Sequence, residues 1–269
     1  MDLQEILYDK GDDGVAVITL NRPEKMNAFT RRMVEEWAWA IDDAKLDDDV
    51  RAVIVTGSGR AFCAGMDVQQ EARGEGVLRT ESSPADRRNS LRYNVHRVPR
   101  ALMTLDKPYI AAVNGAAVGA GMDMASMADL RIAADNARFG MAYVRMGIIP
   151  GDGGAFYLGR ILGIAKSLEL IWTGDLFDAN QALEWGYVSR VVPADQLMDE
   201  TRAFARRLAD GPAVAIQLAK RLVYRSLDMT EDAALDMAQH AMVIAQSTED
   251  AKEGPRAFVE KRQPKFVGR

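Results

Sequence analysis

The chain has 269 residues, is 48% apolar and 27% charged, and carries a net charge of −5, proportions of a globular protein large enough to bury a sizeable core. The acidic balance and the lack of a basic stripe count against a nucleic-acid-binding footprint. A single cysteine, Cys63, excludes an internal disulfide framework, and the two histidines, His96 and His240, stand too far apart in sequence for a His/Cys metal site. The start, MDLQEILYDKGDDG, has neither an apolar signal core nor an Arg-rich transit pattern, and no apolar run is long enough to span a bilayer, so a cytoplasmic protein without a membrane partner is expected.

In chain order, residues 6–9 and 15–21 read as two strands around the turn GDDG. Pro23 closes the second, and Thr30 is a suitable N-cap for an amphipathic helix over 31–45. Residues 47–49 form a solvated turn, and AVIVT (52–56) is a continuous apolar strand of the kind covered on both faces. A glycine-rich turn follows, GSGRAFCAG (57–65). It lacks the Gly-Lys-Ser/Thr of a P-loop and the glycine spacing of a dinucleotide fingerprint. It is either a plain surface turn or one that leaves the N–H groups of Ala64 and Gly65 free. Residues 69–92 are charged and weakly periodic, a binding loop or a simple insertion, leading into a helix over 86–104.

The stretch KPYIAAVNGAAVGAGMDMASMADLRIAAD (107–135) organises the rest. It reads as a buried strand (109–114), a glycine-punctuated turn (115–121), a tightly packed helix from Ala120, and a further strand (130–134). A strand that opens through glycines into a helix start points unpaired amides into a cleft, where they can hold an anion or a developing oxyanion. Asp123, in the first turn of that helix, is placed to face the cleft. Strands and helices alternate here as they do in the first sixty residues, which hints at a coil of similar units.

In FGMAYVRMGIIPGDGGAFYL, a Pro-Gly-Asp-Gly-Gly turn precedes a helix beginning near Ala155. Asp152 is a helix cap or a catalytic carboxylate, and Tyr143 is by default a core aromatic with a bonded hydroxyl. A short helix from Ala179 and a strand ending at Val192 follow. Helices are expected over 195–210, 212–226, 230–246 and 248–262, where apolar positions such as Ala233, Met237, Ala241 and Ile244 make a packing stripe.

The runs NRPEKMNAF, GSGRAFCAGMDV, AAVNGAAVGAGMDMASMADLRIA, FGMAYVRMGIIPGDGG, ALEWGYVSRVVP and TEDAKEGPRAFVEKRQPKF, in that order along the chain, resemble the crotonase, or enoyl-CoA hydratase/isomerase, superfamily. The resemblance implies an α/β fold: a spiral of ββα turns over residues 1–193 carrying an acyl-CoA site, then a C-terminal helical trimerisation region over 194–269, assembled as a homotrimer or as a hexamer of two trimers. It implies an acyl-CoA substrate, with coenzyme A entering as part of the thioester and no tightly bound cofactor or metal. The thioester oxygen would be bound by two amides, which fall on Ala64 and Ala120. The segment Ala64, Gly65, Met66 and Asp67 would line the coenzyme A site. Phe258 and Lys261 would meet its adenine end, in this chain or from a neighbouring subunit, and Lys25 is a further candidate there.

Hydratases of this family use two glutamates. Here the first position holds Asp123, shorter by one methylene, and the second holds Tyr143, a poor general base near neutrality. Asp152 lies one residue after the position where some isomerase and dehalogenase branches carry an aspartate. These departures favour proton transfer between carbons 2 and 4 of a thioester enolate over two-glutamate hydration. Acyl-CoA hydrolysis or decarboxylation, or a non-catalytic homologue binding coenzyme A or RNA, are the alternatives.

Overall fold

The computed structural model describes residues 1–73 and 83–268. The chain begins as an antiparallel hairpin, β1 (Ile6–Lys10) and β2 (Val15–Leu20), in which Ile6 faces Leu20 and Lys10 faces Ala16. Thr30 caps α1 (Arg31–Leu46) by accepting from the Met33 amide. After β3 (Ala52–Gly57) come β4 (Ala61–Cys63) and the helices α2 (Val68–Ala72), α3 (Pro84–Tyr93) and α4 (Arg97–Leu102). Next stand β5 (Tyr109–Val113), β6 (Ala116–Val118), α5 (Ala120–Ser126), β7 (Leu130–Ala134), β8 (Arg138–Gly140) and α6 (Gly154–Thr173). The chain ends with β9 (Leu176–Asp178), α7 (Ala179–Glu184), β10 (Arg190–Val192) and the helices α8 (Leu197–Ala209), α9 (Ala213–Ser226), α10 (Glu231–Gln246) and α11 (Asp250–Val259).

Two sheets result. The larger runs β1-β2-β3-β5-β7-β10, parallel from β2 onward; the smaller runs β4-β6-β8-β9, parallel except for β9. Each coil of the chain lays one strand in the larger sheet, the next in the smaller, and then a helix: β3, β4, helices; β5, β6, α5; β7, β8, α6. This is the expected spiral of ββα turns.

The main core fills the space between the two sheets and the helices around them. There Trp37 of α1, fully buried, donates its indole N–H to the Tyr109 hydroxyl at 2.9 Å, so neither polar atom is stranded. A second apolar cluster joins the other face of the larger sheet, Val15, Ile54, Ile110 and Ile132, to Leu197, Ala205 and Ala209 of α8. The first of the C-terminal helices therefore completes the core of the spiral.

Several expectations are corrected. The glycine turns over 57–65 and 115–121 each contain a three-residue strand, β4 and β6. Two more, β8 and β9, stand where no strand is evident in the sequence; three residues are too few to show a period of two. The helix expected over 86–104 is two helices, broken where Asn94 leaves helical geometry (φ −111°, ψ −91°). Of the segment 69–92, residues 74–82 lie outside the described ones, and α2 and α3 occupy most of the rest. The final helix stops at Val259, and Lys261 just beyond adopts φ 55°. No helix among the described residues is long and apolar enough to cross a membrane.

Candidate active site

Strands β4, β6 and β8 are parallel neighbours, with Ala61 opposite Ala116 and Ala116 opposite Arg138. Their carboxyl ends therefore emerge side by side, and the three unusual segments found separately in the sequence meet there. The fit is close. A methyl group on Gly121 would lie 2.0 Å from the Cys63 carbonyl oxygen. One on Gly65 (φ 94°) would lie 2.8 Å from the Val118 oxygen and 3.3 Å from the Ala120 nitrogen. Glycine is required at both places, by close approach and, at Gly65, by a backbone conformation that L side chains avoid.

The expected donor on Ala64 is corrected. Its N–H is spent on the Met26 carbonyl at 2.9 Å, because the NRPEKMNAF turn folds back over β4. That turn is fixed by the buried Asn27 (φ 55°), whose amide nitrogen donates to the carbonyls of Ser58 and Ala61 at 2.9 and 2.7 Å. Two residues on, Met66 pairs with Phe29 through its neighbours: Phe29 N–H donates to the Gly65 oxygen and Asp67 N–H to the Phe29 oxygen. The Met66 N–H is then left without an acceptor among the described residues, as is that of Ala120, the first residue of α5. The free pair of amides is Met66 and Ala120.

Beside them lies a buried acidic cluster. Asp123 is completely buried and Asp152 nearly so, and between them the Tyr143 hydroxyl stands 2.6 Å from Asp123 Oδ2 and 3.1 Å from Asp152 Oδ2. Asp123 comes from the first turn of α5 and Asp152 from the glycine turn before α6. Tyr143 comes from the 3-10 segment Ala142–Met146 that follows β8. Asp123 Oδ1 has no hydrogen-bond partner, although the nearby amides of Gly154 and Asp152 offset part of the weakening that burial imposes on this acid.

Burial, reinforced by the Asp152 charge, pushes the Asp123 carboxyl up to about 8; burial likewise pushes Asp152 up to about 6, against the Tyr143 hydroxyl and the His96 charge. Burial and the two carboxylates hold the Tyr143 phenol well above its ordinary value. The cluster is braced from below by Phe139, Phe177 and Tyr187, whose ring centroids lie 5.1–5.8 Å apart. The Tyr187 hydroxyl reaches Ser126 Oγ at 3.0 Å and the Met122 carbonyl at 3.3 Å, which fixes α5 and with it Asp123.

The remaining expected residues divide. Asp67 is occupied internally: it accepts from the amides of Gln69 and Gln70 and pairs with Arg22 at 3.1 Å, which holds the start of α2 in place. Lys25 is on the surface and donates to Gln69 Oε1 at 2.8 Å. Phe258 is 85% exposed near the end of α11, with Lys261 just beyond, and no hydrogen bond joins either side chain to the aspartates among the described residues. Asn27 and His96 were not signalled by the sequence. The His96 ring donates from Nε2 to the Gly151 carbonyl at 2.8 Å, next to Asp152. A lone histidine in a stretch that reads as a helix gives no hint of that partner, 55 residues away.

The spiral fold agrees with what known proteins show. The family model for enoyl-CoA hydratase/isomerase matches residues 10–269. The chain belongs to the enoyl-CoA hydratase/isomerase family, within the crotonase superfamily. It is 36% identical over 267 residues to the 1,2-epoxyphenylacetyl-CoA isomerase of Escherichia coli, covering 99% of this chain and 100% of that one. It is also 36% identical to the short-chain-enoyl-CoA hydratase of Clostridium acetobutylicum, covering 98% and 97%. Among solved structures, the enoyl-CoA hydratase of Bacillus anthracis superposes with a TM-score of 0.91 at 32% identity, covering 99% of this chain and 100% of that one. As an enoyl-CoA hydratase/isomerase family enzyme, the protein acts on acyl-CoA thioesters; its relatives include both hydratases and isomerases.

Proposed function

We propose that the enzyme moves a proton along a thioester enolate, shifting a double bond between carbons 2 and 4, with the Met66 and Ala120 amides as its oxyanion hole. The observation that carries this reading is the acid pair. Two buried carboxyls whose acidities are pushed apart, one up to about 8 and the other to about 6, hold one proton between them near neutrality. Such a pair supplies a base and an acid at once, as a 1,3 proton shift requires. Removing a proton from carbon 2 places negative charge on the thioester oxygen. Each preorganised amide aimed there contributes about 3 kcal/mol to the transition state, and the Ala120 amide adds the positive end of α5. In the position of the second glutamate stands Tyr143, whose phenol is a poor general acid–base group near neutrality, so the two-glutamate hydration set is incomplete.

The reading extends to assembly. No residue of α9 and only Ala241 of α10 is buried, while Val223, Leu227, Leu235, Met242, Val243 and Ile244 are exposed. An apolar surface of this kind suits the homotrimer expected of the 194–269 region. The exposed Phe258 suits an adenine contact, with Lys261 beside it for the phosphates.

The test is proton exchange, followed by NMR in heavy water, with saturated, 2-enoyl and 3-enoyl CoA thioesters. Double-bond migration and exchange at carbon 2, both lost in Asp123→Asn, are expected. A water adduct as the sole product would replace this reading with hydration, and free coenzyme A as the sole product with hydrolysis.

A further inference from the structure

We propose that Tyr143 is a proton relay that joins Asp123 and Asp152 into one conducting chain, so that the proton taken up by one carboxyl resets the other without passing through water. The inference rests on the enolate reading above and concerns how the enzyme returns to its starting state.

The geometry raises a counting problem. The Tyr143 hydroxyl lies within hydrogen-bonding distance of Asp123 Oδ2 (2.6 Å) and of Asp152 Oδ2 (3.1 Å), yet a hydroxyl carries one proton and can donate only once. If both carboxyls were ionised, one contact would set two electronegative oxygens against each other in a buried site, at high cost. The arrangement is satisfied when one carboxyl is protonated and donates to Oη, while Oη–H donates to the other. Asp123 is the natural holder of that proton: it is the more deeply buried of the two, and its Oδ1 has no donor.

The resting chain is then Asp123 Oδ2–H to Tyr143 Oη, and Tyr143 Oη–H to Asp152 Oδ2. Transfer breaks the Asp123 O–H and Tyr143 O–H bonds and forms a new Tyr143 O–H and an Asp152 O–H. The negative charge moves from Asp152 to Asp123, no free phenolate accumulates, and no other reactant is needed. A phenol whose own acidity is far too weak to ionise suits such a concerted step.

Few other ionisable groups face the cluster. His96 stands beside Asp152 and makes it a stronger acid when charged. Cys63 and Tyr187, both pushed up to about 12 by burial, stay neutral in the working range.

The relay predicts an unusual fate for the migrating hydrogen. The proton removed from one substrate molecule is handed along the chain and delivered to the next. The experiment mixes a C2-deuterated 3-enoyl-CoA with an unlabelled one of different chain length, in ordinary water, and follows deuterium in both products by mass spectrometry. Wild-type enzyme is expected to carry label from one chain length to the other. Tyr143→Phe, which removes only the hydroxyl, is expected to abolish that crossover, to lower kcat roughly 10–100-fold with little change in KM, and to alter the pH profile.

Label that stays within its own molecule in the wild type, complete loss of label to water, or crossover that persists in Tyr143→Phe would each overturn the relay. These outcomes all require isomerisation by the wild type, so they are distinct from failure of the enolate reading. A readout that needs no turnover is the infrared band of the protonated carboxyl, titrated with pH. It is expected to vanish in Asp123→Asn and to shift in both frequency and midpoint in Tyr143→Phe. A band that Tyr143→Phe leaves unchanged would overturn the relay whether or not the substrate reacts.

Discussion

Gly154 and Asp123 are packed so closely that a methyl group on the glycine would lie 1.8 Å from Asp123 Oδ1. The first residue of α6 thus forms one wall against the carboxyl, and its lack of a side chain sets where that carboxyl can stand. Gly154→Ala must push Asp123 aside or shift the start of α6. Activity is expected to fall about 100-fold, the scale of a 1 Å misplacement of a reacting group. The loss of stability should stay near 1–3 kcal/mol, as for overpacking elsewhere. Steady-state kinetics beside urea melts check this; full activity would show that Oδ1 is not part of the site.

The acid pair also predicts how stability depends on pH. Both carboxyls are weaker acids in the folded chain than in the unfolded one, where their value is near 3.8. The folded state therefore binds more protons between about pH 4 and 8, and its stability falls as pH rises through that window. Asp123→Asn removes much of this burden. It should be more stable than wild type at pH 9 by about 1–3 kcal/mol, with the difference shrinking towards pH 4. Thermal melts across the range test the sign; a mutant that is less stable at pH 9 contradicts it.

Gly65 is the hinge on which the Met66 amide depends. In Gly65→Ala the new methyl group meets the Val118 oxygen and the Ala120 nitrogen, so both proposed oxyanion donors move together. A loss of 10²–10³ in kcat is expected. Acetoacetyl-CoA gives an independent check, because an oxyanion hole enriches its enolate. Wild type should raise the enolate absorbance of this thioester, and Gly65→Ala should not.

His96 holds the Gly151 carbonyl and, when charged, keeps Asp152 more acidic than burial alone would. His96→Ala should move the limb of the pH–rate profile governed by Asp152 to higher pH and reduce kcat several-fold. His96→Gln, which keeps a donor for the carbonyl, should restore part of the rate but not the position of the limb. An unchanged profile in both variants would confine His96 to packing.

The sequence by itself determined the parts of this protein that depend on local pattern. The apolar strands at 52–56, 109–114 and 130–134, the Thr30 cap, and the glycine-led start of α5 with Ala120 and Asp123 at its head were all legible. Propensity, capping and glycine freedom act over a few neighbouring residues, and the order of the motif runs carried the family. Only the tertiary structure decided the rest. The three-residue strands of the smaller sheet exist because they are paired, not because of their own pattern. Ala64 loses its amide to Met26, and Met66 keeps its own, through a fold-back that Asn27 ties from over thirty residues away. Tyr143 reads as an ordinary core aromatic and Asp152 as an ordinary cap until adjacent strand ends bring both against Asp123. Which amide is free, and which carboxyl keeps its proton, is set by the company each group has in a dry interior, and that company is assembled only when distant turns close on one another.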